Sequence, residues 1–208
     1  MASEIYTTIG DAGRGEYEEK RSLFIGQAVH AENEEQAMAH VRGVRAQYHD
    51  ARHHVFAYVL RGGAVKYSDD GEPQGSAGLP VLDCIRKSGV EDACVVVTRY
   101  FGGILLGTGG LLRAYTKAAA AAIADAGIVS YDRFVEMAIE CSYSDYQRVS
   151  FELRRAGALT DGVDYAETVH VRFAVHHSAA ESLAARFGEV CAGRRPTVTG
   201  ERFDHAAK

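Results

Sequence analysis

The sequence has no tryptophan, no long apolar run and no excess of basic residues. No stretch approaches the roughly 20 apolar residues that a membrane-spanning helix requires, so no membrane is expected among its partners. The first eleven residues have neither a cationic start nor an apolar run. A secretory signal needs both, and a cytoplasmic location is expected. The formal net charge is −5 with histidines neutral. Bulk nucleic-acid binding calls for a basic chain, so any contact with RNA must come from a local basic patch. The four cysteines, Cys84, Cys94, Cys141 and Cys191, are far apart and form no C-x-x-C pair. That spacing indicates neither a disulfide framework nor a zinc site, and their apolar neighbours make them reduced core thiols. There is no Pro- or Ser-rich linker and no internal repeat. The one biased tract, Ala118 to Ala122, reads as a helix packed closely against a sheet.

What is present is globular. Of the 208 residues, 47% are hydrophobic and 25% charged, which excludes extended disorder and is enough chain for two small domains. Residues 22–30 read as a strand. A helix follows, with Asn33 as its N-cap and Ala37, Val41, Val44 and Tyr48 on one buried face. A strand over 54–60 turns at Gly62-Gly63 into a partner over 64–67, a hairpin. Residues 70–78 form a loop, because Gly and Pro forbid regular structure there. A short helix is expected over 79–87, with Pro80 in its first turn. Ala93-Cys-Val-Val-Val-Thr98 reads as a strand buried on both faces. A Gly-rich turn then enters the longest helix, 109–126, stopped by Gly127.

The pattern then restarts: a strand over 135–141, a helix over 145–156, strands over 158–165 and 168–175, a helix capped by Ser178, and a strand over 197–203. That order, βαββαβ, packs as a ferredoxin-like sandwich. The expected organisation is therefore α+β, with one domain over 1–130, a second over 131–208, and a boundary near 128–133.

Three constellations offer chemistry. The first runs from Arg99 to Tyr115 as buried strand, glycine loop and helix. A helix N-terminus with free backbone N–H groups attracts anions, and Gly102, Gly103, Gly107, Gly109 and Gly110 permit close approach. With Thr108, Arg99, Arg113 and Lys117, they form a candidate anion- or RNA-binding set; Arg113 and Lys117 lie one turn apart on one side of the helix. The blander reading is that the glycines only permit tight strand–helix packing. No Gly-Lys-Ser/Thr follows, so this is not a P-loop, nor is it the dinucleotide fingerprint.

The second constellation crowds Asp69, Asp70 and Glu72 into four positions between Ser68 and Gln74. These five residues are a candidate partner- or cation-binding loop, although Asp and Glu are also ordinary turn residues. The third, His49-Asp-Ala-Arg-His-His54, has the makings of a metal half-site, but His53 and His54 fall on opposite faces of a strand. No metal site and no cofactor are assigned. Ser68, Ser76 and Thr108 have no legible base, so no catalytic residue is assigned either. Arg154-Arg155 and Arg194-Arg195 read as solvated pairs.

The two glycine-rich segments, Tyr67-Ser-Asp-Asp-Gly-Glu-Pro-x-Gly-x-Ala-Gly-x-Pro80 and Arg99-Tyr-x-Gly-Gly-x-x-Leu-Gly-x-Gly-Gly-Leu-x-x-Ala-Tyr115, resemble the YigZ/IMPACT family. Lys20-x-Ser-x-Phe24 and Asp50-Ala-x-His-x-x-x-Ala-Tyr58 match as well. The resemblance covers the first domain, and the βαββαβ second domain agrees with the bacterial two-domain branch. It implies, for the first domain, the β-α-β fold of a small-subunit ribosomal protein and of a domain of elongation factor G, and for the second a likeness to that factor's C-terminal domain. It implies a link to the control of translation and supplies no accepted catalytic residues.

The favoured reading is a non-enzymatic regulatory protein associated with RNA or ribosomal components. The alternatives are an enzyme holding a nucleotide or phosphate at the glycine loop, and a protein–protein interaction module. Fold analogy alone decides none of these.

Overall fold

The computed structural model of the chain describes residues 5–204. They fall into two compact units, one of Thr7–Val129 and the other built from the chain beyond it together with Tyr6 and its neighbour Ile5. Among the described residues, ten strands and five α-helices form an α+β arrangement with two separate five-stranded sheets.

The first unit holds β2 (Gly13–Glu19), β3 (Ser22–His30), α1 (Glu34–Gln47), β4 (His53–Val59), β5 (Val65–Ser68), α2 (Gly78–Ser88), β6 (Ala93–Tyr100) and α3 (Gly107–Ala126). Its sheet runs β2-β3-β6-β4-β5 with every neighbour antiparallel. β6 is central, and the continuous apolar run from Ala93 to Thr98 is buried throughout because helices cover both faces. On one face, Ala37, Val41 and Val44 of α1 pack on Phe56, Tyr58, Cys94 and Val96. On the other, α2 and α3 cover Phe24, Ala28, Val55, Ala57, Val95 and Val97. Each such aliphatic side chain contributes about 1.5–3 kcal/mol by leaving water.

Local signals explain the helix ends. The Asn33 side chain accepts from the Gln36 amide at 2.9 Å, and the Gln36 side chain accepts from the amide of Glu32, the residue before the cap, at 2.8 Å. These two bonds fix the start of α1. Gly89 closes α2 in the left-handed region at φ 69°, where a Cβ would be strained. The alanine tract behaves as its composition suggests. A Cβ on Gly26 of β3 would overlap the carbonyl oxygen of Ala118, so α3 lies against the sheet with only hydrogens between them.

The second unit holds β7 (Ile128–Cys141), α4 (Tyr143–Arg155), β8 (Leu159–Tyr165), β9 (Val169–His176), α5 (Ala180–Val190) and β10 (Thr197–Asp204). Its strands lie in the order β10-β7-β9-β8, all antiparallel, the ferredoxin-like pattern. The sheet also takes in β1 (Ile5–Ile9), which pairs with β7. Val149, Leu153, Leu183 and Phe187 of the helices close the core over Met137, Ile139, Val171 and Phe173.

Three expectations need correction. The strand expected over 135–141 starts earlier: β7 is fourteen residues long and begins at Ile128. Ser178 does not cap α5. It sits in a 3-10 turn, His177–Ala179, where its amide meets His176 Nδ1 at 3.3 Å, and α5 begins with no side-chain cap. The strands β1 and β2 carry too little apolar sequence to be recognised, yet β2 alternates as a half-buried strand does, with Arg14, Glu16 and Glu18 exposed and Gly13 buried. All four cysteines are buried free thiols.

Candidate functional site

One row of residues crosses the first sheet at its end. Tyr17 of β2 is opposite Phe24 of β3, Phe24 is opposite Arg99 of β6, and Arg99 is opposite His53 of β4. Residues directly opposite on antiparallel strands share a face, and this is the face that α3 covers. Tyr115 of α3 meets Phe24 edge-to-face, ring centroids 5.1 Å apart at 82°, a geometry worth about 0.5–1.5 kcal/mol beyond burial.

Arg99 is 5% exposed. Its guanidinium lies over Phe24 and Phe101, 5.4 and 5.5 Å from the ring centroids, and donates to Glu72 Oε1 at 2.6 Å. The Tyr115 hydroxyl donates to the same oxygen at 2.8 Å. Burial and the Glu72 charge both push the Tyr115 hydroxyl pKa up, burial more, so it remains a donor. A buried charge has to be paired and hydrogen-bonded to be tolerated, and this triad does that for both ions, except that Arg99 Nε has no partner.

The acidic segment holds three separate arrangements rather than one cluster. Asp69 Oδ1 accepts from the amides of Ala77 and Gly78 at 3.1 and 2.8 Å, and Oδ2 from Gly75 at 2.9 Å. It therefore satisfies the start of α2, whose own N-cap residue, Ala77, offers no side chain. Asp70 adopts φ 44° and binds the start of β4: Oδ2 accepts from the His54 amide at 2.7 Å, while Oδ1 accepts from Arg45 at 2.6 Å. Glu72 faces inward to Arg99. Ser68 Oγ accepts from the Asp70 amide at 3.2 Å, and Gln74 is exposed. Among the described residues no group of His, Cys, Asp or Glu is placed to hold a metal ion.

The two histidines separate as strand alternation requires. His54 is buried, with Nδ1 3.1 Å from Thr98 Oγ1, and burial lowers its pKa. His53 Nδ1 is 2.8 Å from the Asp70 carbonyl oxygen. A carbonyl only accepts, so the Nδ1 carries a proton.

The glycine loop divides by role. Gly102 is packed: its amide donates to Ser22 Oγ at 3.1 Å, and a Cβ there would overlap the main chain of Arg21. Gly110 is buried against Leu106. Gly103 and Gly107 have φ 84° and 67°, and at Gly103, Gly107 and Gly109 no backbone crowds the missing side chain. Thr108 is exposed in the first turn of α3. Between this loop and the acidic segment lies an open cavity of about 390 Å³. Arg99, His53 and Glu72 line its floor, Arg52 and Pro73 one side, and Phe101, Leu105, Leu106, Leu111, Gly107 and Thr108 the other.

Arg99 is thus not a surface cation of the kind the sequence suggests: it is the buried member of an ion pair. Arg113 and Lys117 are both exposed on α3. Lys117 is engaged, its Nζ 4.5 Å from the Tyr17 ring centroid and donating to Tyr17 Oη at 3.1 Å. Sequence reasoning missed Arg52, His53 and Phe101 as companions of Arg99. The signal available was the pairing of the two strands, which only the register reveals. Asp50 and Tyr100 also meet, the Tyr100 hydroxyl donating to Asp50 Oδ1 at 2.7 Å, and this bond pushes the Tyr100 pKa up to about 12.

Two antiparallel-sheet units, the second ferredoxin-like and the first bearing a glycine loop over a charged cavity, define a two-domain α+β protein. The Impact N-terminal domain profile matches residues 20–123, and a domain of unknown function, DUF1949, matches residues 139–194. The chain belongs to the IMPACT family. It is 32% identical over 94% of its length to IMPACT family member YvyE of Bacillus subtilis, covering 91% of that protein, and 35% identical over 84% to IMPACT family member YigZ of Escherichia coli, covering 87%. A solved structure described as that of a hypothetical protein covers 95% of this chain and 98% of its own, at 31% identity and a TM-score of 0.63. No helix among the described residues is long and apolar enough to cross a membrane.

Proposed function

We propose that this protein is a non-enzymatic, cytoplasmic regulatory factor of translation that binds RNA or a ribosomal component with the glycine-loop end of its first unit. The observation that carries this reading is a group of exposed cations around the cavity in an acidic chain. Lys20 and Arg21 occupy the turn that packs on Gly102, Arg52 lines the cavity, and Arg113 stands beside Gly109; all four are exposed. Phe101 and Ile104, 47% and 43% exposed, lie among them. Cations around an open groove with an accessible aromatic face are what a single strand uses, charge following the backbone and the ring stacking on a base. The link to translation rests on the family resemblance.

The test is the anisotropy of a labelled single-stranded RNA titrated with the protein across a salt series. Affinity that falls steeply and linearly in log salt supports the reading, because each phosphate neutralised releases counterions. No binding at low salt would remove it.

A further inference from the structure

We propose that the exposed face of α4, in the second unit, is a docking surface for single-stranded RNA, its aromatic rings stacking on bases and its arginines following the phosphates. The proposal goes beyond the reading given for the first unit and does not rest on it, because it uses a different surface of a different unit.

The residues of α4 sort by side. Val149 and Leu153 close the core, whereas Tyr143, Gln147, Arg148, Phe151, Arg154 and Arg155 are exposed. At about 100° per residue these six fall within one half of the helix circumference. At a rise of about 1.5 Å per residue, the stripe from Tyr143 to Arg155 is about 18 Å long. Neither acid of the helix is exposed. Asp145 accepts from Ser142 Oγ at 2.7 Å, and Glu152 lies 3.8 Å from Arg155 and 3.7 Å from Arg186. Arg148 and Arg154 have no ion-pair partner among the described residues. In a chain of net charge −5, a helix face with three arginines and no acid is a local positive patch.

The rings stand on the same face. Phe151 is 57% exposed and Tyr143 55%, and Tyr165 of β8, beside Tyr143, is 61% exposed. Tyr143 and Tyr165 stack with centroids 6.3 Å apart at 26°, and Tyr146 meets Tyr165 edge-on at 5.7 Å and 84°. Hydrogen bonds hold this platform: the Tyr143 hydroxyl donates to the Ala166 carbonyl oxygen at 2.8 Å, and the Tyr165 hydroxyl donates to Tyr146 Oη at 3.2 Å. Rings fixed before a ligand arrives lose little freedom when it binds.

Charge and shape select the occupant. A protein partner is marked by a contiguous apolar patch, but here Gln147 and Arg148 come between Tyr143 and Phe151, and Arg154 and Arg155 follow. A single strand offers the matching alternation of phosphate and base. Guanidinium groups take phosphate oxygens in pairs, and a ring accepts any base on its face. A duplex keeps its bases stacked within the helix, out of reach of such rings, and is recognised by shape instead.

The experiment is the anisotropy of a labelled uridine dodecamer titrated with the full chain across a salt series. Phe151→Ala and the double variant Arg148→Gln, Arg154→Gln are run beside the wild type and beside Arg52→Gln, Arg113→Gln in the first unit. All five positions are exposed or line the surface, and melting temperatures show that each variant folds. Phe151→Ala is expected to weaken binding about tenfold at every salt concentration, the loss of one stacked base. The double α4 variant is expected to bind more weakly, with a log–log salt slope smaller by about 0.7 for each phosphate contact removed. Wild-type affinity in either α4 variant overturns the surface. Weakening by the first-unit variant alone overturns it too and leaves the first-unit reading standing. Weakening by both α4 variants but not by the first-unit variant supports the surface and counts against that reading. No binding by the wild type at low salt removes both.

Discussion

Arg99 and Glu72 form an ion pair at 2.6 Å with side chains 6% and 4% exposed, in a part of the molecule that loop and helix sequence alone would place at the surface. The pair joins the central strand to the acidic segment, and Tyr115 ties both to α3. The floor of the cavity is therefore also a structural joint. Breaking a buried pair by removing one partner costs about 3–5 kcal/mol, while replacing both by apolar groups costs far less. Glu72→Leu and Arg99→Leu are each expected to lower the unfolding free energy by about that amount, and the double variant by much less than their sum. Urea denaturation of the four proteins measures it. Additive losses would show that the two charges do not depend on each other.

Asp69 is expected to matter through the main chain. Its carboxylate accepts three amides that otherwise lack partners at the start of α2. Asp69→Ala should destabilise the protein by about 2 kcal/mol or more. Gln74→Ala, at an exposed side chain that takes part in none of these three bonds, should change stability by less than about 0.5 kcal/mol. Chemical denaturation separates the two, and equal effects would count against the assignment.

Gly26 tests the close packing of α3 on the sheet. A Cβ there would overlap the Ala118 carbonyl oxygen, and backbone cannot yield as a flexible side chain can. Gly26→Ala should cost about 1–3 kcal/mol, read as a lower melting temperature. Gly43→Ala in α1, where a Cβ meets open space, should stabilise slightly, because alanine is the better helix former.

Stability should depend on two histidines, His54, which is buried, and His40, which is half-buried. Burial lowers the pKa of His54 and of His40 below the ordinary value. The unfolded chain then binds more protons than the folded one at mildly acidic pH, so the contribution is complete above the unfolded value of about 6.5 and is lost as pH falls from there through the lower folded value. Melting temperatures measured from pH 7.5 down to 5.5 should fall. His54→Gln, which keeps a polar group near Thr98 but cannot titrate, should make that fall shallower. An unchanged slope in the variant would show that His54 is not responsible.

Much of this was legible in the residues. The buried β6 run, the Gly62-Gly63 hairpin, the Asn33 cap and the βαββαβ order each follow from short-range chemistry, and each is where the pattern puts it. The glycine loop and the acidic segment were visible as candidate site segments for the same reason. What was not legible is which of their side chains turn inward. Arg99 and His53 are neighbours only because β6 and β4 pair in one register, and a one-residue slip of β4 would send His53 to the other face. The alternation of β2 was hidden because glycines hold inward positions that usually carry apolar side chains.

The most direct test of the account is sedimentation of the protein with ribosomes across a salt series, wild type against the triple variant Lys20→Gln, Arg52→Gln, Arg113→Gln. All three residues are exposed, so the variant should fold and melt as the wild type does. Wild-type retention should fall steeply with salt. The variant should bind more weakly, with a log–log salt slope smaller by about one for each phosphate it no longer neutralises. Equal retention and equal slopes in the two proteins, or no retention of either at low salt, would contradict it.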